Sequence, residues 1–142
     1  MKIPDSISAM VYTMKHPALW TLMVWAIAAI GYWLMCRTSE DYIPVAFMSC
    51  GCIGFVGAMP LIKSDDNTLH WVCGIGGCVL SQVWCLMVAM AKPLPTLGLL
   101  ITLWAVYGIV MLCARGRKWC FWLEVWCMVM VVMVAICLLK LC

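Results

Sequence analysis

Charge is what this sequence has least of. Asp, Glu, Lys and Arg make up 11% of its 142 residues, while 67% are hydrophobic. Soluble domains carry about a quarter charged residues and about half apolar ones. A soluble chain this short leaves much of its surface in water and could not hide so much apolar side chain. The formal charge of +3 is spread over short stretches, so no basic arm exists and nucleic acid is excluded as a partner.

Histidine is scarce as well. His16 and His70 are the only two, too few for a three-histidine zinc site. A mixed His/Asp/Glu site finds no supporting spacing. The eleven cysteines include no Cys-x-x-Cys pair, which argues against a thiol–disulfide oxidoreductase with adjacent thiols. No Ser-His-Asp constellation, phosphate loop or nucleotide motif occurs, so the sequence calls for no cofactor. Thirteen Met and eleven Cys raise a soft-metal reading, with Cys50-Gly51-Cys52 the nearest thing to a motif. Residues two apart on a helix diverge, however, and Met and Cys are ordinary core fillers.

What the chain does contain is five long apolar blocks, at roughly 17–36, 42–62, 69–91, 93–114 and 119–139. Each has about the twenty residues that an α-helix needs to cross roughly 30 Å of hydrocarbon. None alternates polar with apolar, as barrel strands would. The expected fold is therefore all-α: one transmembrane domain over residues 1–142, a polytopic bundle of about five spans. Ile3, Ile7, Met10, Val11 and Met14 fall at helical spacing ahead of the first block. They read as a short N-terminal interfacial helix, with a frayed leader as the alternative.

The breaks between blocks have physical causes. Arg37-Thr38-Ser39-Glu40-Asp41 and Lys63-Ser64-Asp65-Asp66-Asn67-Thr68 are polar turns, the second rich in helix N-cap residues. Lys92-Pro93-Leu94-Pro95 interrupts the helical ladder, and Arg115-Gly116-Arg117-Lys118 closes the fourth block. With the N-terminus cytoplasmic, Lys2, Lys15, Lys63, Arg115, Arg117 and Lys118 lie inside. Only Arg37, Lys92 and Lys140 then lie outside. This bias predicts a multi-pass protein of the inner (cytoplasmic) cell membrane with the C-terminus outside. Ala26-Ile27-Ala28 imitates a signal-peptidase site, but the apolar run continues through Cys36, so an uncut first span is expected.

Small residues recur at every fourth position in two blocks. Ala46, Cys50, Gly54 and Ala58 form one row, and Cys73, Gly77 and Ser81 begin another that continues through Cys85 and Ala89. Such rows let helix backbones approach closely inside a bilayer, so spans two and three are expected to form a central hairpin. The fifth span has few small residues and is expected to face mostly lipid. Trp25, Trp84, Trp104 and Trp126 lie deep in their blocks, where an indole N–H usually seeks an acceptor on a neighbouring helix. Ser81 and Gln82 are expected to act as hydrogen-bonding glue.

Glu124 is the one charged residue inside a block. A carboxylate there is costly and marks a candidate site. It lies only about 8 Å along the axis from Trp119, so an interfacial anchor, or a partner for Arg117, is the competing reading. His70 begins the third span on the same side, and Asp65 and Asp66 precede it. Glu124, His70, Asp66 and Asp65 could together form one polar pocket able to relay protons or hold a polar headgroup.

The segments Ile3-Pro4-Asp5-Ser6-Ile7-Ser8 and Phe55-Val56-Gly57-Ala58-Met59-Pro60, with His70 and Gly74 beyond them, resemble a group of short, uncharacterised multi-spanning bacterial membrane proteins. The resemblance covers the first half of the chain and implies a membrane protein, without assigning catalytic residues. The expected function is that of a non-enzymatic accessory or oligomeric membrane component. Its partners would be lipid, copies of itself or other membrane proteins. The alternative is a small proton-linked transporter or channel using Glu124 and His70. A lipid-modifying enzyme would need a nucleophile or metal that the sequence does not offer.

Overall fold

The computed structural model describes residues 16–62, 67–92 and 95–139. Five helices follow one another: α1 (Pro17–Thr38), α2 (Ile43–Ala58), α3 (Asn67–Ala91), α4 (Pro95–Arg115) and α5 (Cys120–Leu139). A single 3-10 turn, Gly116–Trp119, joins the last two. No strand occurs among the described residues. The 1–15 segment, with its expected interfacial helix, lies outside them.

Local chemistry sets the helix ends. Pro17 opens α1 at a position whose N–H has no intrahelical acceptor, so the ring costs nothing there. At the other end Arg37 sits in the last turn, where a cation meets the negative end of the helix dipole. Ser39 then adopts extended backbone while its N–H still bonds Met35 O at 3.1 Å. Gly116 has φ +64°, a left-handed conformation that side chains disfavour, and it turns the chain out of α4.

Among the described residues, four stretches are long and apolar enough to cross a membrane: Pro17–Thr38, Thr68–Ala91, Thr96–Arg115 and Cys120–Leu139. The protein is a membrane-embedded helix bundle. α2 differs, because its 16 residues reach only about 24 Å at 1.5 Å per residue. The apolar block continues through Ile62, yet the helix stops at Ala58, two residues before Pro60. Looser turn bonds carry the chain on, from Leu61 N and Ile62 N to Ala58 O at 2.9 and 3.3 Å.

α2 packs most extensively on α3 and next on α1, while α5 lies against both α1 and α3. A continuous core includes Met35, Ala46, Trp84, Val88, Ile101 and Val134, drawing on all five helices. It sits where α1, α3 and α5 end. The expectation of a lipid-facing fifth span gives way here to a different arrangement. α5 buries Cys120, Met130, Val131, Val134, Ala135 and Leu138, filling grooves with branched and flexible side chains. α4 is the outer wall instead: Leu99, Leu103, Val106, Ile109 and Val110 are all exposed.

Candidate functional site

Inter-helix hydrogen bonds define how α1, α2 and α3 meet. Ser49 donates its hydroxyl to Gly77 O across α2 and α3 at 2.8 Å. At Gly77 a Cβ would lie 2.7 Å from Ile53 Cγ1 and 3.2 Å from the carbonyl oxygen of Ser49. Only a residue without a side chain fits so close to another backbone. Toward α1, Thr21 Oγ1 donates to Gly57 O of α2 at 2.7 Å and Trp25 Nε1 to Gly54 O at 3.0 Å. A Cβ on Gly57 would meet Val24 Cγ1 at 2.8 Å.

The row read from the sequence as one seam is therefore divided. Gly77 contacts α2 directly. Ala46 is fully buried in the core, and Cys50 turns to α1, its Sγ 4.0 Å from Met35 Sδ. Gly54 has open space beside its Cα and serves α1 through its carbonyl. Ala58 is half-buried at the end of α2. Cys73 meets Cys52 thiol to thiol, and Ser81 bonds within its own helix to Cys78 O at 2.7 Å. Cys50 and Cys52 diverge, as their spacing demands. Among the described residues, no group of three His, Cys, Asp or Glu side chains lies close enough to hold a metal ion.

Between α1, α2, α3 and α5 lies a cavity of about 250 Å³. α1 lines it from Trp20 to Met35, a stretch of about 22 Å at 1.5 Å per residue. Gly74, Cys78 and Ser81 line it from α3, and Cys127, Met128 and Val131 from α5. The thiols of Cys78 and Cys127 contact each other across the α3–α5 interface. Beside them Gln82 Nε2 donates to Cys127 O at 3.4 Å, so this amide does join two helices.

Glu124 also lines the cavity and is half-buried. Among the described lining residues it is the single charged one. It lies one helical turn before Cys127 and Met128, toward the end where α1, α3 and α5 begin. His70 is half-buried on α3 but does not line the cavity. Asp65 and Asp66 lie outside the described residues. The structure thus brings Glu124 together with thiols, hydroxyls and aliphatic side chains.

The deep tryptophans divide too. Trp25 finds an acceptor, whereas the buried indole N–H groups of Trp84, Trp104 and Trp126 have none among the described residues. Trp104 and Trp126 pack against each other across α4 and α5, their rings tilted by 41° with centroids 4.2 Å apart. Sequence reasoning missed the roles of Thr21 and Gly57 and the cavity-lining Gly31. A polar Thr21 inside an apolar span was the available signal, since such hydroxyls commonly bond a neighbouring helix.

No family model, curated protein or solved structure matches the chain.

Proposed function

We propose that the chain is a non-enzymatic, multi-pass component of the cell membrane, acting through contacts between helices as an accessory subunit or homo-oligomer. The observation that carries this reading is the close α2–α3 approach at Gly77, where backbone meets backbone inside an apolar bundle. Only short stretches of sequence separate the described helices, so whatever the chain contacts, it contacts largely within the bilayer. The exposed apolar side chains of α4 supply a wall that lipid or another helix can cover. The Lys/Arg bias supports a cytoplasmic N-terminus and an outer C-terminus.

Native mass spectrometry of particles taken from the membrane in polymer nanodiscs tests the proposal. The expected result is a discrete assembly heavier than one 15.9 kDa chain. A lone chain with bound lipid would refute it.

A second reading is favoured by one observation, that Glu124 lines the cavity. A proton-linked carrier would then use Glu124 as its titrating group, with His70 outside the cavity. Proteoliposomes should show proton-coupled flux that Glu124→Gln abolishes. Intact flux in that variant would remove Glu124 from the mechanism.

A further inference from the structure

Sulfur recurs around the cavity wall. Cys78 of α3 and Cys127 of α5 line it, as do Cys50 of α2 and Met35 of α1. The sulfurs of Cys50 and Met35 lie 4.0 Å apart, but a thioether has no proton to lose. Cys78 and Cys127 differ, because they are two thiols in hydrogen-bond contact. Such a pair carries everything a disulfide needs except an electron acceptor. The sequence hides it, since its members stand on α3 and α5 and only the fold brings them together.

The surroundings of the pair suit that chemistry. Gln82, one turn along α3 from Cys78, donates Nε2 to Cys127 O at 3.4 Å and so ties the two helices beside the thiols. Gly74 lies one turn before Cys78 on the same cavity wall. A Cβ added there would have no atom outside its own helix backbone within 4 Å, which leaves an apolar molecule room to approach. A thiol pair and a disulfide are both uncharged, so oxidation puts no charge into the apolar bundle. A metal ion held by thiolates would do so at a cost. Among the described residues, moreover, no group of three His, Cys, Asp or Glu side chains forms such a site. Cys52 and Cys73 also meet, across α2 and α3, but neither lines the cavity.

We propose that Cys78 and Cys127 are a reversible oxidation site, closed to a disulfide by a quinone dissolved in the surrounding lipid. Both S–H bonds break and one S–S bond forms. The two electrons and two protons leave on the quinone, which becomes the quinol. The new bond closes a loop that contains all of α4 and pins α5 to α3. Because it limits the freedom of the unfolded chain, it makes the bundle harder to unfold. A dithiol reductant restores the two thiols by exchange. The inference goes beyond the packing role, and its test reads a covalent bond, whereas the assembly test reads a mass.

The test uses the full chain in maltoside detergent, fully reduced and then exposed to decylubiquinone. Remaining thiols are blocked with N-ethylmaleimide in denaturant, and tryptic peptides are sequenced by mass spectrometry without reductant. Cuts after Lys63, Arg115 and Lys118 put Cys78 and Cys127 on different peptides. The expected result is a peptide pair joined through Cys78 and Cys127 that dithiothreitol separates. Tryptophan fluorescence should show the oxidised chain unfolding at a higher temperature than the reduced one. Cys78→Ala and Cys127→Ala should each lose both the link and the shift, whereas Cys137→Ala, at an exposed position, should keep both. If a variant fails to fold, the fragment spectrum of the wild-type link still identifies its two cysteines. No joined peptides would overturn the proposal, and so would a link confined to Cys52 and Cys73. A quinone-dependent rise in melting that survives in Cys127→Ala would overturn it equally.

Discussion

α2 and α4 are both apolar helices, yet they are held in different ways. α2 is fixed on two faces by hydrogen bonds to backbone carbonyls and by glycines that allow close approach, Gly77 of α3 against α2 and Gly57 of α2 against α1. α4 touches its neighbours through side-chain tips: Gly98 against Met90, Gly108 against Leu123, and Trp104 against Trp126. Its hydroxyl bond among the described residues, from Thr102 to Gly98 O, stays inside the helix. Backbone contact cannot yield when a side chain grows, whereas a flexible tip can. The two helices should therefore differ in their tolerance of substitution.

The sharpest way to break this comparison is Gly77→Leu. The new side chain collides with Ile53 and with an immovable backbone carbonyl, and overpacking of this kind costs about 1–3 kcal/mol or more. A clear fall in the melting midpoint of the detergent-solubilised protein is expected. Melting equal to wild type would mean that α2 and α3 are not in backbone contact. Gly54→Leu is the paired control. Its Cβ enters open space, so its midpoint should stay close to wild type although it belongs to the same small-residue pattern.

Smaller effects sharpen the same contrast. Trp104→Ala removes the ring contact with Trp126, worth about 0.5–1.5 kcal/mol beyond the buried area, and should loosen α4 alone. Limited proteolysis should then cut near Arg115 sooner while the rest of the bundle resists. Ser49→Ala deletes one inter-helix hydrogen bond, which inside membranes averages about 0.6 kcal/mol. A modest loss of thermal stability follows, and a loss as large as that of Gly77→Leu would show that the hydroxyl, not the close approach, holds the pair. Leu103→Ala, on the exposed face of α4, should leave melting of the isolated chain unchanged.

Much of the fold was legible in the sequence because membrane helices announce themselves by length and apolarity. The polar turns at Arg37–Asp41 and at Gly116 fall where the structure turns the chain. What periodicity could not supply was direction. Cys50 and Gly54 share a spacing that was expected to face α3, yet both turn to α1, while Ser49 and Ile53 beside them meet Gly77 of α3. The position of α5 was hidden for a related reason. Val134 and Ala135 bury themselves without a glycine row, because larger side chains can also fill grooves. Glu124 stood out as a lone charge, whereas the cavity beside it depends on four helices at once. Gly31 and Gly74 acquire meaning only when those helices are assembled.

The shortness of α2 has a consequence for the lipid around it. A helix reaching about 24 Å beside neighbours long enough for roughly 30 Å of hydrocarbon cannot match one flat bilayer everywhere. Lipids next to α2 must thin or tilt, at a cost of fractions of a kcal/mol per ångström. Since Val56 and Ile53 of α2 also line the cavity, a dimple in the bilayer would form beside it. Membrane thickness would then act as a control variable for this protein, with shorter acyl chains relaxing the bundle and longer ones pulling on its weakest wall.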